Sequence, residues 1–417
     1  MKRNQKWLLL CLTALFSIHC TGCGLIEDID PNQTGSSGLS TMPTASTTTT
    51  TTTTTAPPPP PVNPKVHMLA VGDNLVQTAV YRSAQKWSAD GTYDFTKTYE
   101  NVAPIIQAAD VAIINQETLI CGGDYEISGS NLNFNSPVEL GDEMVEIGFD
   151  IFTLANNHLL DKRIDGLLSS LDYWDAMSAK HPILAVGVYR DAADQNEIRV
   201  QEVNGMKIAY LAYTEHLNGY SVPASSTVKI GSTADLNLIE RQIKAANQIA
   251  DAVVVSAHWG NEDTHIVADR VKTLANQMIG WGADVILGGH SHTAQTMEYI
   301  DRADGTRGFV FYSLGNFVSA QTDNFNMIGE IGEFDLTLDL ATGELLVENV
   351  QCTPVITHYE DAKLSNLRLY PYSMYTAELA NGHGLPYAPL GTAKSFNMGV
   401  VDAIIEANIP EEFRNLN

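Results

Sequence analysis

The chain has 417 residues, 44% of them hydrophobic and 18% charged, and carries 24 Lys and Arg against 49 Asp and Glu for a net charge of −25. That apolar content suffices for the core of one large α/β domain with a tail, or of two or three smaller units. The charge argues against nucleic acid as a partner, because such binding depends on cationic side chains neutralising phosphates, and it suits an exported, water-exposed surface.

The first predicted element is an address rather than a fold. "MKRNQKWLLLCLTALFSIHCTGCG" opens with Lys2, Arg3 and Lys6, continues through an apolar stretch from Trp7 to Ile18 and ends in small residues. This is the layout of a signal peptide over residues 1–23, too short for a comfortable membrane span. Gly22 directly before Cys23 resembles a bacterial lipoprotein cleavage box, with Cys23 as the lipidated residue; Cys20 stands where an aliphatic residue is usual. The expectation is export and a lipid anchor on the outer face of the cell membrane or cell surface. Residues 24–65 follow as a threonine run and five consecutive prolines. Such a composition cannot bury a core, so a disordered or polyproline II linker is expected. The main domain is placed at 66–357, and a C-terminal extension packed on it at 358–417.

From Val66 onward, apolar runs of strand length alternate with helical patterns. The strands are "VHMLAVGD", "VAIINQE", "DIFTLANNH", "KIAYLAYTEH", "DAVVVSAHWGNE", "ADVILGGHSH" and "GFVFYSLGN"; helices are expected at Tyr99–Asp110, Pro137–Ile147, Asp165–Met177, Ala234–Ala250 and Val267–Trp281, with a short one at 398–409. Continuous apolar strands alternating with helices imply an α/β fold whose sheets are covered by helices. Ligands in such folds bind outside the carboxyl ends of the strands. Here one strand after another delivers Asp, Glu, Asn or His at that end.

Each candidate also has a plainer reading. Asp73 after Gly72 is a ligand or a helix N-cap. Glu117 bridges cations or caps the segment from Thr118. Asn157 and His158 form an unusual pair, an amide ligand beside a proton donor. His258 is a ligand or a satisfied core histidine. His290 and His292 flank Ser291, so on an extended segment both point to the same side. His216 is a candidate for the rim of the site. His67 is expected to be structural, and His181, His265, His358 and His383 are expected at the surface. Cys121 and Cys352 form a disulfide or stay separate thiols. A ligand set of carboxylates, one amide and imidazoles without thiolate favours Mn, Fe or Zn over a Cys-rich structural zinc site. One or two such ions would activate water and polarise a phosphoryl or carbonyl oxygen, with His158 protonating the leaving group.

In order, "AVGDN", "NQETL", "LANNHLLD", "AHWGNE", "GGHSH" and "YSLGNF" resemble the motifs of the bacterial CapA-type poly-γ-glutamate capsule-synthesis family, itself similar to the calcineurin-like metallophosphoesterases. The resemblance covers roughly Val66 to Val350. It implies a sandwich of two β-sheets flanked by helices. It implies one metal position at Asp73 and His292, a second at Asn157, His258 and His290, Glu117 in place of a bridging Asp, and His158 as the catalytic histidine. Asn74, Asn115, Asp161, Glu262 and Asn316 fall in or beside these motifs as possible rim residues. Two departures stand out. Leu75 occupies the place of a ligating His, so one position has a ligand fewer unless Asn74 or water fills it, and Glu117 is longer than Asp by a methylene. The functions implied are a surface-anchored, metal-dependent hydrolase-like protein of poly-γ-glutamate or capsule biosynthesis, a non-catalytic scaffold for polymer synthesis or export, or an extracytoplasmic phosphoesterase. The partners implied are an anionic polymer or phosphoester, the membrane through the lipid anchor, and a membrane-bound polyglutamate synthase complex.

Overall fold

The computed structural model describes residues 62–417 apart from 124, 131–132 and 390. The signal peptide, Cys23 and nearly all of the linker therefore lie outside the described residues. Among those described, no helix is long and apolar enough to cross a membrane.

In chain order the principal strands are β1 (Lys65–Asn74), β2 (Val111–Asn115), β3 (Ile151–Thr153), β4 (Leu184–Val186), β5 (Arg199–Val203), β6 (Met206–Thr214), β7 (Ala252–His258), β8 (Val285–Gly289), β9 (Met297–Asp301), β10 (Arg307–Phe311), β11 (Asn316–Val318), β12 (Ile328–Asp339), β13 (Glu344–His358) and β14 (Arg368–Pro371). One eight-stranded sheet runs β14–β13–β12–β1–β2–β3–β4, with β11 paired to the end of β1; a six-stranded sheet runs β9–β10–β8–β7–β6–β5. The principal helices are α1 (Thr78–Trp87), α2 (Val138–Glu146), α3 (Arg163–Ser178), α4 (Leu236–Ala246), α5 (Asp269–Trp281) and α6 (Met398–Asn408). The architecture is thus the two-sheet α/β sandwich flanked by helices that the resemblance implied.

Alternation along the strands sorts the side chains into two cores. In β7, Ala252 and Val254 join the large core between the sheets, while Val253, Val255 and Ala257 face a second core with Ile239 and Ile243 of α4 and Val271, Ala275 and Met278 of α5. His258 has the parity of Ala252 and Val254, so its ring enters the space between the sheets at the carboxyl end. In β8 the same rule sends Val285 and Leu287 inward and Ile286 outward. Gly289 follows on the inner side, where an added Cβ would lie 2.5 Å from Asp73 Oδ1. The missing side chain lets the ends of β1 and β8, one from each sheet, approach closely.

Several expectations are corrected. The helix expected at Tyr99–Asp110 is two single turns, Thr96–Tyr99 and Ala103–Ile106, with Pro104 in the first turn of the second; proline is tolerated there and cannot continue a preceding helix. α1 was not expected. The extension begins in the sheet itself: β14 pairs with Val355–His358 of β13, forming the sheet edge. His358 and His383 are buried, not at the surface. His358 Nδ1 lies 3.0 Å from Tyr375 Oη, and His383 Nε2 lies 3.0 Å from Thr357 O while its Nδ1 accepts from Leu385 N at 2.9 Å, so a hydrogen-bonded pocket receives both rings. Cys121 and Cys352 are separate buried thiols; the first adjoins Gly166 of α3 and the second lies within β13.

Candidate metal centre

β1, β2 and β3 run parallel in one sheet, and β6, β7 and β8 run parallel in the other. Their carboxyl ends bring together Asp73, Glu117, Asn157, His158, His258, His290 and His292, all at most 4% exposed. His292 Nδ1 lies 3.1 Å from Asp73 Oδ2, and His258 Nε2 lies 2.9 Å from Asn157 Oδ1. Glu117 Oε1 sits among three imidazole nitrogens, 3.5 Å from His258 Nε2 and 3.8 Å from both His292 Nε2 and His158 Nε2. These separations exceed hydrogen-bond length. Both Glu117 oxygens, and His290 Nδ1, are buried without a hydrogen-bond partner among the described residues.

A buried carboxylate without a donor is costly unless positive charge is beside it. Ligand atoms of Asp73, Glu117 and His292 lie within 4.8 Å of one another, as do those of Glu117, His258 and His290. The two groups share Glu117. This donor set suits divalent metal, which Asp73, Glu117 and His292 would hold in one group and Glu117, His258 and His290 in the other. A third group joins the exposed Glu262 to His290 and His292. Glu262 is thus the carboxylate on the solvent side of the cluster.

The electrostatics point the same way. Burial opposes charge on His292, but Glu117 and Asp73 outweigh it and hold its imidazolium up to about 10. Burial works against the Asp73 carboxylate, yet the His292 hydrogen bond and His258 hold it below its ordinary value. Burial, then the surrounding histidines, push His290 far down, leaving a neutral imidazole able to ligate. Bound metal would supply the positive charge that a proton on His292 otherwise provides.

The segment bearing His290 and His292 is not extended. Their φ values are +88° and +56°, in the left-handed region where side chains other than glycine are uncommon. The turn brings His290 N to 3.0 Å from Asp73 Oδ2, and Ser291 Oγ donates to Thr293 O at 2.8 Å. Strain of this kind costs about 1–3 kcal/mol per residue and persists where the surroundings over-determine it.

Around the cluster lie the positioning groups. Asn115 Nδ2 donates to Asp73 Oδ1 at 2.6 Å and lies 3.1 Å from His258 Nδ1. Asn316 Oδ1 is 3.1 Å from His292 Nδ1, and its Nδ2 donates to His292 O at 3.2 Å. His158 Nδ1 lies 2.8 Å from Asp161 Oδ2, which also accepts from Phe134 N at 2.9 Å. The carboxylate accepts from Nδ1–H, which leaves Nε2 aimed at the cluster. Asn74 is not on the rim. Next to Asp73 in β1 it points the other way, donating to Gln116 Oε1 at 2.8 Å and accepting from Tyr99 Oη at 2.9 Å. It does not replace the ligand missing at Leu75, which is itself buried.

His216 belongs to the site: its Nε2 lies 2.9 Å from His290 Nε2. Sequence reasoning missed Asn218, whose Oδ1 accepts from Asn157 Nδ2 at 3.2 Å, and Phe134, whose ring packs 4.6 Å from His158. Asn218 lies in a loop and Phe134 in a short strand, Asn133–Asn135, paired with Ser128–Ser130; neither has the strand-end context used above, and the only signal is the turn-forming pair Asn218–Gly219.

Residues 67–321 match the family described as "Bacterial capsule synthesis protein PGA_cap". The chain is 28% identical over 268 residues to the capsule biosynthesis protein CapA of Bacillus anthracis, covering 62% of this chain and 61% of that protein. It is 30% identical over 253 residues to the PGA biosynthesis protein CapA of Bacillus subtilis, covering 60% and 62%. It therefore spans about three fifths of the length of these curated relatives. Among solved structures, a phosphatase of Mycoplasma pneumoniae aligns with a TM-score of 0.40 and 13% identity, over 71% of this chain and 95% of that one.

Proposed function

This chain belongs to the bacterial capsule synthesis family PGA_cap, and we propose that it is an exported, surface-anchored protein of poly-γ-glutamate or capsule biosynthesis with a metal-dependent hydrolase-like centre. The observation that carries the catalytic part is Glu117, a buried carboxylate without a hydrogen-bond partner, shared by two ligand groups. One or two ions of Mn, Fe or Zn would supply Lewis acidity and an activated water. The chain's own residues do the rest. Asp161 accepts from His158 Nδ1–H and orients the ring, and His158 in its imidazolium form, with the Asp161 carboxylate balancing its charge, would give up its Nε2 proton to the leaving atom of an amide or phosphoester bond and return to the neutral Nδ1–H ring. Glu262, at the solvent side of His290 and His292, faces the arriving substrate.

The test is elemental analysis of the purified chain beside a His290→Ala/His292→Ala variant, followed by assays on poly-γ-glutamate and phosphoesters. Metal that disappears in the variant is expected. A folded protein that takes up no Mn, Fe or Zn would overturn the reading. Leu75, in place of a ligand, supports a second reading: a scaffold assisting a membrane-bound polyglutamate synthase. His158→Ala separates the two. It abolishes the hydrolase's function with metal retained and leaves a scaffold's function intact. The N-terminal sequence supports lipid anchoring at Cys23, which predicts incorporation of labelled fatty acid that is lost in Cys23→Ala.

A further inference from the structure

Each of the two buried ligand groups has three residues, with Glu117 counted in both. Two ions at roughly four or more ligands apiece leave places for further donors. β1 supplies Asp73 alone, since Asn74 turns away to Gln116 and Tyr99 and the buried Leu75 is apolar. On the solvent side, a carboxylate oxygen of Glu262 and a ring nitrogen from each of His290 and His292 lie within 4.8 Å of one another. Glu262 is exposed and makes no hydrogen bond or ion pair among the described residues. The other carboxylates nearby are taken. Glu215 accepts from Arg270 Nε and from Gly260 N, both at 2.7 Å, and Asp263 Oδ1 accepts from Asn326 Nδ2 at 3.1 Å.

The segment that carries Glu262, between β7 and α5, is fastened to the histidine turn along its length. Trp259 N donates to Gly289 O at 3.2 Å, and Asp263 N donates to Ser291 O at 2.9 Å. Thr264 O accepts from Thr293 Oγ1 and from Gln295 Nε2, both at 2.8 Å. Asn326 Nδ2 ties Asp263 Oδ1 to His292 O, at 3.1 Å from each. Gly260 and Asp263, on either side of Glu262, take φ values of +96° and +55° in the left-handed region. The backbone of Glu262 is therefore fixed beside the two rings. Closing onto an ion costs side-chain rotamer freedom and no ordering of the loop.

His290 provides an independent sign. It is 2% exposed, and its Nδ1 has no hydrogen-bond partner among the described residues. Its Nε2 lies 2.9 Å from His216 Nε2. An Nε2–H donated to His216 leaves the Nδ1 lone pair for an ion, the arrangement in which the far nitrogen of a ligating histidine gives its proton to a neighbour. We infer that Glu262 is a further metal ligand, a solvent-side carboxylate that serves the ions held through His290 and His292 as Glu117 does from the buried side. Charge agrees with this. Asp73 and Glu117 offset two of the four positive charges that two divalent ions would bring, and Glu262 offsets a third. The inference rests on the metal reading above and names the ligand on the open side of that centre.

The experiment is titration of the full chain with Co²⁺ in competition with a chelator, followed by the visible ligand-field absorption, for the parent, Glu262→Gln and Glu262→Asp. The amide matches the carboxylate in size and the residue is exposed, so the metal-free melting temperature should be unchanged. Glu262→Gln should weaken Co²⁺ binding about a hundredfold for at least one ion and change the position and intensity of its absorption. The loss should persist at about 1 M salt, where the Debye length is about 3 Å. Glu262→Asp, which keeps a carboxylate, should recover part of the affinity and a parent-like absorption. Unchanged affinity and absorption in Glu262→Gln would overturn the assignment and leave the metal centre standing on its buried ligands. A weakening that vanishes at high salt, with the absorption unchanged, would also overturn it, because Glu262 would then act through its charge alone. A folded parent that binds neither Co²⁺ nor Mn, Fe or Zn would overturn both this assignment and the metal reading.

Discussion

Among the described residues buried histidines form two clusters, and burial does not tell them apart. At the metal centre Glu117 and His290 Nδ1 lack hydrogen-bond partners, and His290 and His292 take left-handed backbone angles. In the C-terminal cluster His358 and His383, with ring centroids 4.8 Å apart, rest on Tyr375, Thr357 and Leu385, and His383 has an ordinary φ of −63°. The electrostatics diverge accordingly. Carboxylates hold His292 up to about 10, whereas burial pushes His358 down to about 4 and His383 to about 3. A buried carboxylate set among imidazoles without a hydrogen-bond donor, rather than burial or a single unpartnered atom such as Tyr359 Oη beside His383, distinguishes the candidate metal centre from the cluster that holds the fold.

The sharpest way to break this contrast is Glu117→Gln. If Glu117 is the shared ligand, the amide removes metal binding by elemental analysis. In the metal-free state the same change removes the largest electrostatic support of the His292 imidazolium, so His292 should lose its proton at a lower pH than in the metal-free parent, as followed by NMR titration. A variant that keeps its metal would place the site elsewhere. Next in size is His158→Ala, expected to lower turnover by roughly 10²–10⁴ with metal content unchanged, the contribution of a positioned proton donor. Equal loss of metal would make His158 a ligand rather than a proton donor.

The C-terminal cluster should answer in stability alone. His383→Ala leaves a cavity and orphans Leu385 N, so a loss of about 2–4 kcal/mol in denaturant unfolding is expected with metal content intact. Its pH dependence has a definite sign. Both histidines are held below their ordinary value of 6.5, so the folded state binds fewer protons than the unfolded one. Their contribution is complete above pH 6.5 and falls as pH drops toward 4 and 3, on the order of 2 kcal/mol for each by pH 5. The neutral replacement His383→Leu should flatten the acid limb of the stability profile; a profile unchanged by that substitution would contradict the assignment.

The contrast also explains what was legible in the sequence. Apolar runs define strands, strands define carboxyl ends, and Asp73, Glu117, Asn157, His158, His258, His290 and His292 all follow from that one rule. Sequence spacing alone could not show the left-handed turn at His290, which depends on Asp73 arriving from the other sheet. The direction of Asn74 was legible through strand alternation but hidden by its adjacency to a ligand. Asn218 reaches the site from a loop and Phe134 from the three-residue strand Asn133–Asn135, too short for a periodicity to mark it. His358 and His383 offered no signal of burial, since their pocket is assembled from β13, β14 and the loops around α6.

The smallest effect probes the boundary between the two kinds of cluster. Asn316 is buried and fully engaged, like the C-terminal histidines, yet what it holds is the candidate ligand His292: its Oδ1 meets His292 Nδ1, and its Nδ2 donates to His292 O, Gln321 Oε1 and Asn326 O. A purely structural residue lost from this position would lower stability and leave the affinity of folded protein for metal unchanged. A positioning residue would free the His292 ring and weaken metal binding. Asn316→Ala should therefore reduce metal affinity about tenfold in competition with a chelator, the scale typical of groups that orient ligands. Asn316→Asp, which keeps the acceptor for His292 Nδ1, should recover much of that affinity. If stability falls while affinity holds, Asn316 belongs with the C-terminal cluster, and the metal centre ends at its ligands.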